Sequence, residues 1–359
     1  MKLETSSDGT LRYQRKVTPD DAVSFIADDL RRERTGLHGL IALFFNNLTL
    51  GYDTFNVGRQ EERIRLAKAS YGGLSPLIKE AYPLEEMRGD VDKFCALVTG
   101  HFDHRFSHEL TIGKRQTEGS QFTAWPLVLS SGGTILYAPP KSGKSYIALL
   151  LAQSIAQGVK LLWPLRQRPI LFVNLERSGK SLEHRIAGVN LALGLEEATP
   201  LAMLHARGRT MREVRDSVTH AMRETKAEVL FWDSISRMGL GGMASDESAN
   251  SGVDALNALA ETWFALGHTP RDDSSHVYGS VMFQAGEDLG VALKSQRKGN
   301  ELGIMLKVTE SNDTALPPPS FLTLSFAGSD ELSWLASVRK ADKKDWPDLV
   351  LPAGLSLAD

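Results

Sequence analysis

Two rhythms of hydrophobic and polar positions divide the chain near residue 115. Upstream the sequence is charged and mixed. "DAVSFIADDLRRERTG" puts apolar residues at helical spacing and ends in glycine, which predicts a helix. "LHGLIALFFNNLTLGYDTFNV" predicts two strands around Asn46 and Asn47, since asparagine tolerates the positive φ of a tight turn. "EERIRLAKASYGGL" predicts a charged helix stopped at Gly72 and Gly73, and "DVDKFCALVTGHF" another, opened by Asp90 or Asp92. Residues 1–115 are therefore expected to form a small α+β domain. From 116 to about 340 the pattern becomes strand, glycine turn, helix, repeated. "GTILYA", "PILFVNLE", "LAMLHA" and "AEVLFWD" are apolar runs, each followed by a helix-period segment such as "KSYIALLLAQSIAQG". "GVDALNALAETWFALG" predicts a helix running into one more buried strand. Such alternation implies an α/β fold, a mostly parallel sheet with helices on both faces. "VALKSQRKGNELGIMLKVTES" and "SFLTLSFAGSDELSWLAS", joined through "LPPPS", predict antiparallel strands at the end of that sheet. Residues 341–359 are expected to be irregular.

The tetrapeptide Ser-Gly-Lys-Ser occurs twice, in "APPKSGKSYIALL" and in "NLERSGKSLEHRI". A phosphate-binding loop needs a small residue where the chain leaves the strand, a glycine that lets backbone approach the anion, and Lys-Ser opening a helix. The first copy supplies all three, with Ala138, Pro139, Pro140, Lys141, Ser142, Gly143, Lys144, Ser145 and Tyr146 in order after a clean strand. Its helix is nearly all apolar, as a central buried helix should be. The second copy starts from Asn174, and Glu183, His184 and Arg185 give its helix a surface pattern. Ser178 or Ser181 there reads as a helix N-cap. The first copy is the expected nucleotide site.

A nucleoside-triphosphate site also needs a carboxylate to help place Mg²⁺ together with Ser145. "EVLFWDSIS" offers Asp233 at the end of a buried run, with helix capping as its plainer explanation. For a water-orienting group, Glu176 ends "PILFVNLE", whereas Asp216 and Glu228 sit on a charged helix or turn. His268, followed by Thr269, ends "WFALGH".

Composition adds limits more than direction. The chain has 359 residues, enough for two domains, with 42% hydrophobic and 24% charged residues and a net charge of -3. No global basic field marks a polyanion partner, so any nucleic-acid contact must be local. One cysteine, Cys95, excludes an intrachain disulfide and suits a reducing compartment. No apolar run approaches membrane-spanning length and the N-terminus lacks a signal-peptide pattern, so a cytoplasmic protein is expected. His101, His104 and His108 follow helical spacing with Asp103 among them, but no cysteine or second histidine pair accompanies them to make a zinc site.

With these elements in order, residues from about 120 to 335 resemble the RecA-like ATPase core of the hexameric RepA-type replicative helicases of plasmid and phage replication modules. The resemblance rests on "LFVNLERSGKSLEHRI" ending at Arg185, on "HTPRDDSSHVYGSVMF" with Gly279 and Ser280, and on "LKVTESNDTALPPPSFLTLSF". It implies ATP and Mg²⁺ as cofactors, catalytic roles for Lys144, Glu176 as the group polarising the attacking water, and His268 as γ-phosphate sensor. It also implies a homo-oligomer, with a hexameric ring expected, single-stranded DNA as partner and a replication partner reached through the N-terminal domain. Two positions depart from the family pattern. Glu310 stands where a basic residue is usual, with Lys307 three earlier, and Glu287-Asp288 stand where many members have arginine. The arginine finger acting on a neighbouring subunit is then sought in "KSQRKGN", with Lys294, Arg297 and Lys298, or at Arg271. A solvated charged turn explains that segment equally well.

Two function classes follow. One is a DNA helicase or translocase. The other is an ATP-driven assembly switch of the same fold that does not unwind DNA. The loops "SRMGLGGMASDESANSG" and "PRDDSSHVYGS" carry few basic residues for strand tracking, which keeps the second class open.

Overall fold

Residues 22–33 are extended rather than helical, and they run through the middle of an antiparallel sheet. The computed structural model describes residues 2–5, 10–104, 121–239, 246–270, 276–278, 282–312, 314–329 and 332–349, and the chain divides into units Met1–Arg115 and Gln116–Asp359. In the first unit β1 (Glu4–Thr5), β2 (Leu11–Lys16), β3 (Ala22–Glu33), β4 (Gly36–Phe45) and β5 (Leu48–Asn56) pair in sequence order. The helical expectation for 22–33 fails because Val23, Phe25 and Ala27 also alternate, and all three are buried. Pairing with β2 and β4 on either side supplies backbone partners that a lone helix would not need. The turn between β4 and β5 is as expected, with Asn46 at φ 51°.

Three helices, α1 (Gln60–Gly72), α2 (Pro76–Ala81) and α3 (Leu84–Asp103), complete that unit. The start of α3 lies before both aspartates proposed to open it. Asp90 is instead a buried acceptor, bonded by the Tyr82 hydroxyl at 2.8 Å and paired with Arg15 at 3.0 Å. Phe25 and Phe94 meet in the core with ring centroids 5.7 Å apart. Cys95 is buried beside them and burial pushes its thiol up to about 12, so it behaves as a small apolar residue. Asp103 pairs with Arg32, while His108 lies outside the described residues.

The second unit is built on a nine-stranded sheet. Its elements are a small ribbon of β6 (Phe122–Ala124) and β7 (Val128–Leu129), then β8 (Gly132–Ala138), α4 (Lys144–Gln157), β9 (Ile170–Asn174), α5 (Gly179–Ala192), β10 (Met203–His205), α6 (Met211–Glu224), β11 (Val229–Asp233), α7 (Asp246–Leu259), β12 (Thr262–His268) and α8 (Met282–Gly286). Four antiparallel strands finish it: β13 (Leu289–Lys298), β14 (Glu301–Ser311), β15 (Ser320–Gly328) and β16 (Ser333–Ala341), with only β13's junction to β8 parallel. Strand order is β10-β9-β11-β12-β8-β13-β14-β15-β16. The five strands β10, β9, β11, β12 and β8 are all parallel, so they all end at one edge. β12 separates the phosphate-loop strand β8 from β11. This is the RecA-like α/β fold expected from sequence, with the antiparallel extension attached to it.

Each face of the sheet has its own core. Phe172, Phe231 and Phe264, from adjacent strands, lie with α4 and α5 on one side, neighbouring rings 5.9 and 5.2 Å apart. Trp232 and Trp263 point the other way, into α6 and α7. The central strands β9, β11 and β12 are buried on both faces because both are covered.

Beyond β16 the described residues hold a 3₁₀ turn, Lys343–Asp345, and otherwise irregular backbone. Residues 342–349 fold back over the extension, and Trp346 is 2% exposed with its indole N–H donated to Thr323 Oγ1 at 2.9 Å. Gly303 on β14 makes room: a Cβ there would stand 2.1 Å from the Trp346 ring. The paired carboxylates Glu287 and Asp288 sit at the edge opposite the phosphate loop. Asp288 accepts from the Gly133 N–H at 2.8 Å, which makes it part of the sheet's frame.

Candidate nucleotide site

Parallel strands that end together deliver their terminal side chains to one place, and here β8, β9, β11 and β12 do so. The loop after β8 turns at Lys141, φ 64°, and at Gly143, φ 96°, before α4 begins. Gly143 is the N-cap residue and offers no side-chain cap, so the first amides of α4 keep their donors for a ligand. Gly143 also touches the extension: a Cβ would lie 3.0 Å from Leu302 and 3.1 Å from Ile304. Ser142 closes the loop by donating to the Pro139 carbonyl at 2.7 Å.

Lys144 is 7% exposed and its ammonium donates to the carbonyls of Ala138 and Pro139, at 2.6 and 2.9 Å. Burial lowers its pKa to about 8, while Asp233 and Glu176 act to keep it charged. His268 Nδ1 lies 3.4 Å from that ammonium, and its other ring nitrogen lies 3.7 Å from Glu176. One histidine thus bridges the loop lysine and the β9 carboxylate.

Glu176 stands two residues past β9. Ser234 donates to its Oε1 at 2.5 Å, and Ser236 approaches the same oxygen at 3.5 Å. The His268 imidazole, aided by Ser234 and Arg237 and opposed by burial, holds this carboxyl down at about 2. The backbone beneath it is fixed by Asn174, whose side-chain oxygen accepts from the amides of Glu176 and Arg177, at 3.3 and 2.9 Å. The Asn174 amide group in turn donates to the Arg177 carbonyl at 2.7 Å.

Asp233, on the adjacent strand, is 2% exposed. Burial and the charge of Glu176 raise it to about 6, against the pull of Arg177, Ser145 and Lys144. Its Oδ2 is buried without a hydrogen-bond partner among the described residues, and the Ser145 hydroxyl lies against the same carboxyl. An orphaned carboxylate oxygen beside a hydroxyl suits a hard divalent cation, which takes oxygen ligands and returns the charge that burial makes costly. Asp233 caps no helix by its side chain; the 3₁₀ turn that follows starts at Ile235.

These residues line a cleft of about 480 Å³ whose outer wall belongs to the extension. Leu302, Phe326 and Ser333 come from β14, β15 and β16. Arg185 lies over the Tyr146 ring at 4.6 Å, Tyr146 meets Phe326 edge-on at 5.3 Å, and Arg297 lies over Phe326 at 5.4 Å. Arg297 therefore faces the cleft of its own chain. Lys298 lies over Trp346 at 4.8 Å, and Arg271 is outside the described residues. Sequence reading missed Asn174, Arg177 and Phe326 as parts of the site. Asn174 left a signal, an Asx residue two and three positions ahead of the amides it ties. Phe326 left none, because strand pairing brings it there.

The second Ser-Gly-Lys-Ser lies beside the site without forming one. Ser178 is the N-cap of α5 and accepts from the Ser181 amide at 3.4 Å, as the capping reading requires. Lys180 is exposed.

Comparison with known proteins gives one family match and a distant likeness of fold. The family model described as "AAA domain" matches residues 122–269, less than half of the chain. No curated protein matches. Among solved structures the chain is similar to a KaiC-like protein from the hyperthermophilic archaeon Pyrococcus horikoshii, with 14% identity and a TM-score of 0.44, over 61% of this chain and 94% of that one. The second unit thus has a RecA-like α/β sheet order, and its segment from loop to histidine is similar to the AAA domain family.

Proposed function

We propose that this protein is an ATP-hydrolysing motor that works on DNA in plasmid- or phage-type replication, as a helicase or translocase of the RepA type. The observation carrying the reading is the convergence of Lys144, Ser145, Glu176, Asp233 and His268 on one cleft at the phosphate loop. Backbone amides of 141–145 cradle the β-phosphate, Pro140 having no N–H to give, and the Lys144 ammonium leaves the Ala138 and Pro139 carbonyls to meet the β- and γ-oxygens. Ser145 and Asp233 would hold Mg²⁺, which would supply positive charge against the phosphate oxygens. Glu176 stays ionised and orients the attacking water, with Ser234 and Asn174 fixing its direction. His268 touches both Lys144 and Glu176, so a shift of either on phosphate binding or release reaches β12 and the loop after it. Arg185 and Arg297, beside Tyr146 and Phe326, offer cations and ring faces to the nucleoside end of the ligand.

A homo-oligomer, with a hexameric ring as the form the family resemblance suggests, and a replication partner for residues 1–115 belong to the same proposal. The deciding experiment measures ATP turnover with and without single-stranded DNA at two salt concentrations, alongside strand displacement on a forked duplex and the native mass with an ATP analogue. Stimulated turnover, salt-sensitive binding and displacement support the motor. Turnover without any of the three leaves an assembly switch and sinks the helicase reading.

A further inference from the structure

Glu176 borders two clefts. Besides the nucleotide cleft it reaches a second of about 430 Å³, formed where the loop after β10 meets the segment after β11. Three arginines line it, Arg207 and Arg209 on one side and Arg237 on the other, and all are exposed. Arg209 is paired with Glu213 at 3.3 Å; among the described residues Arg207 and Arg237 have no carboxylate within ion-pair distance. The loops that carry them are pinned. The amides of Ala206 and Gly208 donate to the carbonyls of Asn174 and Leu175, at 2.9 and 3.4 Å, and the Met211 amide donates to the Met238 carbonyl at 2.9 Å. In a chain of net charge -3 this is a local and preorganised concentration of positive charge.

We propose that the Arg207–Arg209–Arg237 cleft binds the phosphodiester backbone of single-stranded DNA, and that its occupancy reaches Glu176 through Arg237, Ser236 and Ser234. The regulatory half rests on the reading of Glu176 as the water-orienting group. Arginines on two facing loops flank a groove rather than a point, which suits successive phosphates of a strand, and their planar forks grip phosphate oxygens in pairs. Among the described residues no aromatic side chain lines the cleft, so they give bases no stacking platform and read phosphates rather than sequence. The route inward is short. Ser236 and Ser234 are 2.8 Å apart and both approach Glu176 Oε1, while Arg237 is one of the charges that keep the carboxyl strongly acidic. A phosphate on Arg237 cancels that charge, and a strand that draws Ser236 outward loosens its contact with Glu176. Both changes make Glu176 a better base, so strand binding accelerates hydrolysis.

The test uses the full chain and a fluorescein-labelled oligothymidylate, reading anisotropy across a salt series and ATP turnover with and without the oligonucleotide. The double variant Arg207→Ala/Arg237→Ala is expected to bind more weakly at every salt concentration. Its slope of log affinity against log salt should fall by about 1.4, at ~0.7 per lost phosphate contact. Its stimulated-to-basal turnover ratio should approach one. Ser236→Ala is expected to bind the strand normally yet lose the rate response, a split that general damage to the fold would not produce. Unchanged affinity and slope in the double variant overturn the proposal, as does a normal rate response in Ser236→Ala. Inorganic phosphate reproducing the full stimulation overturns the strand as ligand. A wild-type protein that hydrolyses no ATP yet binds DNA through these arginines overturns the functional reading and the regulatory half, and supports the cleft as a strand site.

Discussion

The same four letters, Ser-Gly-Lys-Ser, have opposite fates at 142–145 and 178–181. In the first copy glycine is the N-cap at φ 96°, the helix amides have no side-chain cap, and the lysine is buried over backbone carbonyls. In the second copy serine is the N-cap and occupies an amide itself, glycine is the first helical residue, and the lysine is in water. A one-residue shift of the helix start decides which group meets the amides. Anion binding thus depends on where the helix begins, a property of backbone geometry that the tetrapeptide alone does not carry. The second segment still serves the site, through Asn174 and Glu176 that precede it.

Lysine replacement is the harshest test of this contrast. Lys144→Ala is expected to abolish measurable ATP turnover, and Lys180→Ala to leave it within about twofold, as surface substitutions usually do. A large loss in Lys180→Ala would reverse the assignment of the two copies. Glu176→Gln comes next. Turnover should fall on the order of 10²–10⁴-fold while binding of a fluorescent ATP analogue persists, the signature of a lost base.

Asp233→Asn separates the site's chemistry from its stability. Asp233 rises from its ordinary 3.8 to about 6 in the fold, so between those values the native state binds more protons than the unfolded one. Its contribution to stability is then present below pH 4 and lost as pH rises through 6. At roughly 1.4 kcal/mol per pH unit, the ionised side chain costs the nucleotide-free protein about 3 kcal/mol at neutral pH. The asparagine variant should therefore unfold at higher denaturant than wild type at pH 7.5, converge with it near pH 4, and fail to hydrolyse ATP with Mg²⁺. Glycine replacement gives the smallest expected effect. Gly143→Ala places an L side chain at φ 96° against Leu302 and should cost about 1–3 kcal/mol. Gly179→Ala, whose Cβ would approach nothing nearer than 4.0 Å, should be neutral or stabilising by up to about 1 kcal/mol in the same denaturation assay.

Legibility in the sequence follows contact range. The α/β alternation and the capping role of Ser178 depend on neighbours within a few residues, and both were readable. Residues 22–33 misled because Val23, Ile26, Ala27 and Leu30 satisfy a helix period as well as Val23, Phe25 and Ala27 satisfy a strand. Pairing with β2 and β4, which no local window contains, decided between them. The same limit hid Phe326 and turned the basic hairpin tip back towards its own chain. Arg297 and Phe326 meet only because the amide of Phe326 reaches the carbonyl of Asn300 across the sheet, at 2.9 Å.

Gly143 has a mechanical meaning as well. A hydrogen atom in place of a side chain is all that separates the phosphate loop from Leu302 and Ile304, so loop and hairpin act as meshed teeth. The loop cannot swell around a γ-phosphate without pushing β14, and β14 carries Gly303, over which Trp346 is clamped. Indole fluorescence from Trp346 is therefore a built-in gauge of a loop 203 residues earlier in the chain, at Gly143.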